Sequence, residues 1–513
     1  MERPPLLGAP YIAHHPMWRR GLYALMGIFM PIAASTQNSL FSGNLGTAAG
    51  EAGLSTAEAT WLVAGFIAAA AFANLVVIKG RQQYGIMFFL TTLLGANIAT
   101  GLLLIFLPNF TALMINRVSN GLMVSTNVAA GVYYLIQALP KSHRVAAIAI
   151  AIASLQLANP IAALIPVETL TQSGNFGFAC LATGLCALQL ALVLLLPLPT
   201  TNTGRVFEPM DAVSAILMLG VSVCLASVLA LGRTMWWTDT PWIGWLLVGL
   251  VAFGAAALSV EFCRKRPLLQ VNWLSTGTIL RFAMVAIMER LLLSEQSSGV
   301  IGLFSHAGLI NDQYHTLYLF VILGMVSGIT VMGCTLSPRL IPIQCIVALL
   351  AIALAAWLDS GSNGLTRPSD VYLSQTLLGF GTTLFVSPAL LYGIILVLRS
   401  DTSHFISTIY VFAITQSIGS ATGAALLGSM QYYYQNYAMV GFASQMANTA
   451  SLSLAAAHQG ISSISTTLSD QSAIMGYLNV FGFVSILALC AVALIALMLL
   501  CKHLLEFSAK HLS

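Results

Sequence analysis

Residues 281–299 read RFAMVAIMERLLLSEQSSG, an apolar stretch that nevertheless holds Glu289, Arg290 and Glu295. Apolar runs of similar length recur along the chain, and about 20 such residues let an α-helix cross a hydrocarbon core of about 30 Å. The composition agrees, because 58% of the residues are hydrophobic and 7% charged, whereas soluble domains have roughly 45–50% and 25%. The sequence therefore predicts an all-α membrane protein, since the runs are too long for barrel strands.

Apolar runs between turn signals predict about 14 transmembrane helices. They cover residues 21–43, 57–79, 85–107, 110–137, 144–168, 175–197, 211–232, 242–262, 277–301, 315–336, 340–358, 370–398, 404–428 and 475–501. Two six-helix bundles with a two-helix insert account for this number, and paired repeats are a common transporter design. The predicted divisions are an N-terminal bundle with its tail (1–197), linker loops and two inserted helices (198–276), and a C-terminal bundle (277–513) with a long outer loop at about 429–474.

The basic residues predict that both termini are cytoplasmic. With the termini inside, 15 of the 20 Lys and Arg residues fall in inner segments, and two, Arg233 and Arg367, fall in outer loops. Lys and Arg are retained on the cytoplasmic side. The N-terminal segment lacks the apolar core of a signal peptide, so we expect the first span to act as the insertion signal. We expect a monomer in the lipid bilayer of a bacterial inner membrane.

Several functional classes are not indicated. No basic cluster is interleaved with aromatic residues in a polar domain, so we expect no nucleic-acid partner. The eight cysteines lie in or beside apolar runs without metal-ligand spacing, so we expect no metal. The chain has no Walker phosphate loop and no set of catalytic residues. We therefore expect no enzyme activity and no cofactor, with the proton gradient as the source of energy.

Three stretches resemble motifs of the major facilitator superfamily. INRVSNGLMVS (115–125) resembles its Arg-x-x-x-Gly motif through Arg117 and Gly121. SLQLANPIAALIP (154–166) is similar to a worn antiporter motif around Pro160, and VIKGRQQYGIM (77–87) keeps Arg81 and Gly85 of a loop motif but lacks its Asp. The layout is similar to the fourteen-helix drug:proton antiporter branch. That branch often has an Asp in span one, where this chain has Gln37 and Asn38, so a first-helix proton carrier is absent.

Charged residues inside spans are the main site candidates, because a charge at the bilayer centre persists when it is paired or faces water. Arg117 lies about 10 Å into span four. The resemblance implies that it faces a central cavity and influences proton transfer; the alternative is a structural tie to backbone carbonyls. Glu289 and Glu295 are the only acids that we place well inside spans, whereas Asp211 and Glu261 fall at span ends within reach of water, and Asp359 is assigned to the outer loops and adjoining span ends.

Glu289 lies about 12 Å beyond Arg281 along span nine, near the midplane, and the resemblance implies that this helix lines the cavity. Burial raises a carboxyl pKa and a nearby Arg lowers it. A group balanced between the two effects could load and release protons, which makes Glu289 the proton-coupling candidate. A static ion pair with Arg290 or with another helix is the alternative. Arg290 could also attract an anionic substrate.

Other polar side chains in apolar runs are substrate-cavity candidates, although hydrogen bonding between helices would equally account for each. They are Gln37, Asn38, Asn127, Tyr134, Gln156, Asn159, Gln375 and Gln416. Gly419 and Gly423 lie four residues apart on one helix face and permit close packing.

The sequence thus predicts a secondary transporter that exports a small organic compound, such as a drug, chelator or metabolite, by proton antiport and alternating access. Periplasmic or outer-membrane efflux proteins are conceivable partners. The alternatives are a proton-coupled uptake permease and a non-transporting membrane protein.

Overall fold

The structure is a computed structural model that describes residues 7–171, 176–264, 267–337, 339–400, 405–447 and 461–511. Within these residues the chain is α-helical, and the β-type pairing is a single antiparallel bridge between Pro10 and Thr201. The first nine helices are α1 (Met17–Gly43), α2 (Leu45–Glu51), α3 (Thr56–Tyr84), α4 (Ile86–Phe106), α5 (Phe110–Ala138), α6 (Arg144–Ser154), α7 (Ala158–Ala163), α8 (Val167–Thr171) and α9 (Phe176–Leu195).

The remaining ten helices follow the loop that carries Thr201. They are α10 (Pro209–Thr234), α11 (Pro241–Cys263), α12 (Val271–Leu274), α13 (Gly277–Ser298), α14 (Val300–His306), α15 (His315–Thr335), α16 (Ile341–Ser360), α17 (Tyr372–Ser400), α18 (Phe405–Ala447) and α19 (Ile461–His511). The predicted all-α class is confirmed.

Eleven helices in the described part of the chain are long and apolar enough to cross a membrane, and each overlaps a predicted span. The other three predicted spans coincide with α1, α5 and α13, which have 27, 29 and 22 residues. These three helices carry polar and charged side chains, including Gln37, Arg117 and Glu289, and this lowers their hydropathy. The number of fourteen spans therefore stays a prediction.

Predicted loop 429–474 is mostly helical in the part that the structure describes. Helix α18 continues to Ala447, and α19 begins at Ile461. The segment predicted as a long outer loop is therefore helical at 429–447 and 461–474, and its location outside the membrane stays a prediction. The Ser, Ala, Gln and Tyr content that indicated a loop lowers hydropathy but does not break a helix, because none of these residues removes a backbone donor.

The chain divides into two compact units. Unit 1 contains Met1–Met288 and Ala389–Thr422, and unit 2 contains Glu289–Pro388 and Gly423–Ser513. The boundaries differ from the three predicted divisions, which rest on span counting and remain a prediction.

Small residues bring the helices of unit 1 close together. A Cβ on Gly121 of α5 would lie 2.6 Å from the Phe66 carbonyl oxygen and 2.8 Å from the Ala69 Cβ of α3. A Cβ on Gly131 of α5 would lie 2.8 Å from the Gly27 carbonyl oxygen of α1. Because lipid tails are as apolar as the side chains, close backbone approach of this kind is what favours helix association in a bilayer.

A buried ion network fixes α10 and α11, the two helices of the predicted insert, to the end of α3. Asp211 Oδ1 accepts hydrogen bonds from Lys79 Nζ (2.7 Å) and Arg264 Nη2 (2.5 Å), and Arg264 Nη1 donates to Glu261 (3.1 Å). Asp211 is 1% and Glu261 2% exposed, so the prediction that both lie within reach of water is wrong. Burial lowers the pKa of Arg264, but its hydrogen bonds and ion pairs outweigh burial and leave the pKa above its usual value.

Helix α11 exposes its apolar side chains instead of burying them. Only 11% of the residues in its most apolar stretch are buried. Trp245 and Val251 are 74% and 71% exposed. In water such a surface would be an interaction or aggregation site, but it suits contact with lipid. This pattern supports a membrane environment independently of composition.

Unit 2 is packed through the same kind of close contact. A Cβ on Gly324 of α15 would lie 2.1 Å from the Thr376 carbonyl oxygen of α17, and one on Gly381 of α17 would lie 2.8 Å from the Ala348 carbonyl oxygen of α16. Ser485 of α19 donates a hydrogen bond of 2.9 Å to the Ala353 carbonyl of α16. These contacts pack α15 against α17, α17 against α16, and α16 against α19.

Candidate functional site

Arg117 is the centre of a buried polar cluster in unit 1. Its side chain is almost completely buried in α5, and its Nη2 donates a short hydrogen bond to Asn38 Oδ1 of α1. Its Cζ lies 4.6 Å from the ring centroid of Phe41 and 4.9 Å from that of Phe66. The predicted cavity residue Asn38 is thus a direct partner of Arg117.

No acid among the described residues balances the charge of Arg117. Among the residues that the structure describes, no carboxylate forms an ion pair with it, and its Nε has no hydrogen-bond partner. The two aromatic faces contribute about 2 kcal/mol when desolvated, and a hydrogen bond to a charged group about 1.5–3 kcal/mol. The effective penalty for burying an ion is several kcal/mol, so these neutral contacts offset much of it but supply no counter-charge.

A chain of polar side chains continues from the Arg117 helix through the first bundle. Asn120 Nδ2 donates to Gln37 Oε1 (2.7 Å), and Gln37 Nε2 donates to Cys186 Sγ (2.9 Å). Cys186 in turn donates to Asn97 Oδ1 at 3.1 Å. The structure therefore places the predicted Gln37 within a hydrogen-bonded chain that links α1, α4, α5 and α9.

A small cavity of about 30 Å³ adjoins Arg117. Polar side chains line one part of it and apolar side chains the rest; they are Gln37, Asn116, Arg117, Asn120, Leu40, Phe41, Leu104, Leu113, Phe178, Ala179 and Ala182. A buried water needs roughly 10–15 Å³ by this measure, so the cavity has room for about two. The guanidinium therefore borders a space that a small polar group can enter.

The other predicted cavity residues of unit 1 have different surroundings. Tyr134 donates to the Leu196 carbonyl (2.8 Å), which is a helix-packing role. Asn127 is fully buried, and neither its amide oxygen nor its nitrogen has a hydrogen-bond partner among the described residues. The Gln416 amide also lacks hydrogen-bond partners among the described residues. Gln416 and Gln156 are partly exposed, and Asn159 is exposed. Within the described chain, the hydrogen bond of the Arg117 side chain goes to Asn38 and to none of these residues.

The motif residues act mainly in packing and turns. Pro160 is buried in the short helix α7, and Gly419 is buried in α18. Arg81 lies in the last turn of α3 with its Cζ 5.6 Å from the Tyr133 ring centroid. Gly85 joins α3 to α4 at φ 86°, a conformation that L side chains rarely adopt. A Cβ on Gly423 would lie 3.0 Å from the Leu291 Cα, so this glycine lets α18 approach α13.

Glu289 of α13 is fully buried in unit 2. Neither carboxylate oxygen has a hydrogen-bond partner among the described residues. Arg290 interacts with it electrostatically and is partly buried, and the Arg290 carbonyl accepts a hydrogen bond of 2.8 Å from Ser294. Cys345 of α16 is near enough to interact electrostatically with Glu289. Glu289 therefore has the positive charge of Arg290 nearby but accepts no hydrogen bond from a described residue.

Glu295 lies six residues, or about 1.7 turns, further along α13, close to a second buried acid. Asp359 of α16 is 1% exposed and interacts electrostatically with Glu295, which is fully buried and has no hydrogen-bond partner in the described residues. Ser374 Oγ and Gln375 Nε2 of α17 donate to Asp359, the latter at 2.8 Å. We name Glu295 and Asp359 the acid pair. The predicted Gln375 holds one member of it.

The sequence reasoning missed Asp359, Asn120 and Cys186. Asp359 lies in the last turn of α16, where a negative charge is disfavoured by the helix dipole, so its presence there could have indicated buried partners. Asn120 is three residues after Arg117 and shares its helix face, which is a readable signal. Cys186 carries no such signal, because its contact with Gln37 depends on how α9 packs against α1.

Comparison with known proteins establishes the fold. No family model matches the sequence, and no curated protein matches it significantly. A solved peptide transporter POT in complex with sulfate is similar, with 15% identity, a TM-score of 0.59, and coverage of 95% of this chain and 96% of that one. A POT family transporter in complex with 5-aminolevulinic acid has 14% identity and a TM-score of 0.56, covering 96% and 98% of the two chains.

The human organic anion transporter MFSD10 (TETRAN) is also similar, with 14% identity, a TM-score of 0.52, and coverage of 93% of this chain and all of that one. At these identities the likeness concerns the fold alone. Together with the apolar helices, it shows a multi-pass membrane protein with a fold of the major facilitator type. This structural likeness does not separate the drug:proton antiporter branch from other transporters of the same fold.

Proposed function

We propose that this chain is a secondary active transporter that exports a small organic compound, such as a drug, chelator or metabolite, in exchange for protons. The fold that it shares with peptide transporters and an organic anion transporter supports transport by alternating access. The proposal includes a location in a bacterial inner membrane, both termini in the cytoplasm, and function as a monomer without a bound cofactor. Periplasmic efflux partners are compatible with it.

The observation that carries the proposal is the state of Glu289. It is fully buried in an otherwise apolar helix, and no described residue donates a hydrogen bond to it. Burying a charged carboxylate is very unfavourable unless it is paired and hydrogen-bonded. A carboxyl group in this position can be accommodated by binding a proton, and it can release the proton when the site opens to water. That cycle is what proton coupling requires.

Arg290 and the acid pair complete the proposed coupling region of unit 2. Arg290 opposes Glu289 electrostatically, so it would favour proton release once water enters. Glu295 and Asp359 interact with each other while buried, and two such carboxylates cannot easily both be charged. We propose that Glu289 carries the coupled proton, with the acid pair as a second proton-binding position and Arg117 in unit 1 as part of the substrate region.

Inverted membrane vesicles that contain the full chain test the transport proposal. A panel of carboxylates, quaternary ammonium compounds and neutral amphipathic compounds would be supplied outside, with the lumen either acidic or at equal pH. Export by proton antiport predicts that at least one compound accumulates, only with an acidic lumen and only when the protein is present. Uptake by symport predicts the opposite dependence on the gradient, and a non-transporting protein predicts no difference from empty vesicles.

Substitution Glu289→Gln tests the proton role, because Gln has nearly the same shape but cannot carry the exchanged proton. We expect gradient-driven accumulation to fall to the level measured without a gradient, while downhill flux of the same compound continues. Glu51→Gln is the matched control, since Glu51 is exposed at the end of α2, and it should leave accumulation unchanged. Wild-type accumulation and pH dependence in Glu289→Gln would contradict the assignment.

A further inference from the structure

Arg117 has donors that the described residues leave unused. The guanidinium has five N–H donors, and one of them, on Nη2, bonds to Asn38. Its Nε is buried without a partner. Phe41 and Phe66 face the guanidinium but accept no ordinary hydrogen bond. The residue is thus a buried cation that has aromatic walls, one neutral amide and no anion within the described chain.

The cavity beside Arg117 matches a carboxylate in size. Its volume of about 30 Å³ accommodates about two water-sized oxygens, which is the number of oxygens that a carboxylate carries. Leu104, Leu113 and Phe178 supply an apolar wall, which suits the carbon skeleton next to a carboxylate. Arg recognises carboxylates well, because its planar fork can donate two parallel hydrogen bonds.

We propose that Arg117 binds the carboxylate of an organic acid substrate in this cavity. The inference rests on the proposed transport function, and it names the chemical class of the compound carried. The ligand supplies the negative charge that the described protein lacks at this position. Asn38 then serves as a positioning residue, since its Oδ1 holds one edge of the guanidinium and leaves the others for the ligand.

A binding assay on the purified full-length protein in detergent tests this inference without relying on transport. The probes are benzoate and butyrate, with benzamide, benzylamine and chloride as comparisons. Binding is measured as the shift in Tm with ligand concentration. We expect benzoate or butyrate to raise the Tm, and the three comparison probes to leave it unchanged.

Asn38→Asp is the decisive variant, because it places an internal carboxylate on Arg117 with almost no change of shape. We expect it to fold with an unchanged or higher Tm and to lose the carboxylate-dependent shift. Asn109→Asp is the matched control; Asn109 caps α5 by accepting from the Ala112 N–H, a role that Asp also fills, and the shift should persist. Arg117→Gln should weaken carboxylate binding about 10- to 100-fold, as expected for loss of a hydrogen bond to a charged group.

Three results would overturn the inference: no shift with either carboxylate in the wild type, an equal shift with benzamide or chloride, or a shift that persists in Asn38→Asp. The vesicle experiment separates this failure from that of the proposed function. Accumulation of other compounds without carboxylate binding would leave transport standing and remove the anion site. Carboxylate binding without accumulation of any compound would keep the anion site and contradict the proposed transport function.

Discussion

At the scale of single residues, the chain tolerates buried charge in two different ways. Arg117 is placed against two aromatic rings and an amide, which offset part of its desolvation. Glu289 is opposed by Arg290 alone among its described neighbours and makes no hydrogen bond with described residues. A buried charge without a full set of partners destabilises a static structure. The occurrence of such charges at Arg117 and Glu289 therefore favours a role in binding a ligand or exchanging a proton.

Gly121 provides a stability prediction at the same scale. Gly121→Ala would place a Cβ 2.6 Å from the Phe66 carbonyl oxygen, and overpacking of this kind typically costs about 1–3 kcal/mol. We expect a lower Tm in detergent. Gly95→Ala is the control, because nothing lies within 4 Å of its added Cβ, and helix propensity favours Ala over Gly by about 1 kcal/mol. A Tm for Gly121→Ala as high as that of Gly95→Ala would show that α3 and α5 can separate without penalty.

At the scale of helices, α10 and α11 are held to α3 by charge as well as by packing. Asp211 forms ion pairs with both Lys79 and Arg264. This one acid therefore joins the end of α3 to the start of α10 and the end of α11. The stacked rings of Trp61 and Trp242, with centroids 5.9 Å apart, join α3 to α11 near its other end. The insert is therefore an integral part of unit 1.

Asp211→Asn should destabilise the protein strongly, because it leaves Lys79 and Arg264 without their common acid. Removing one member of a buried ion pair costs about 3–5 kcal/mol, and the side chain of Asp211 is 1% exposed. The free energy of unfolding in detergent and denaturant measures the effect. Asp239→Asn, an exposed acid in the turn between α10 and α11, is the control and should change it by less than about 0.5 kcal/mol.

At the scale of the whole molecule, orientation in the membrane follows from charge in the loops rather than from the fold. The predicted inner loops hold most Lys and Arg residues, and such residues are retained in the cytoplasm. The described helices fit this alternation without proving it, because helices of the same length and hydropathy can cross in either direction.

Cysteine labelling in intact cells tests the orientation. In a variant without the eight native cysteines, Asp239→Cys should react with a membrane-impermeant maleimide, because it lies in a predicted outer loop and is exposed. Ser142→Cys, also exposed but in a predicted inner loop, should react only after the cells are opened. The reverse pattern would mean that the topology is inverted.

The sequence by itself determined the fold class, the helix positions and half of the charged residues that are buried in the described chain. Hydropathy and loop length are local properties, so they located α3, α4 and the other apolar helices closely, and an isolated Glu289 or Arg117 is conspicuous in an apolar run. The same local reasoning missed the helical continuation at 429–447 and 461–474, because a polar helix and a loop have similar compositions.

Only the tertiary structure decided which polar groups meet. Asp359 and Glu295 are 64 positions apart in the numbering and interact across α16 and α13, and Asn38 meets Arg117 across α1 and α5. Such pairings depend on the rotation and depth of each helix against its neighbours, which small residues such as Gly121 set by allowing close approach. A single sequence records the groups that need partners in a membrane, but packing selects the partners.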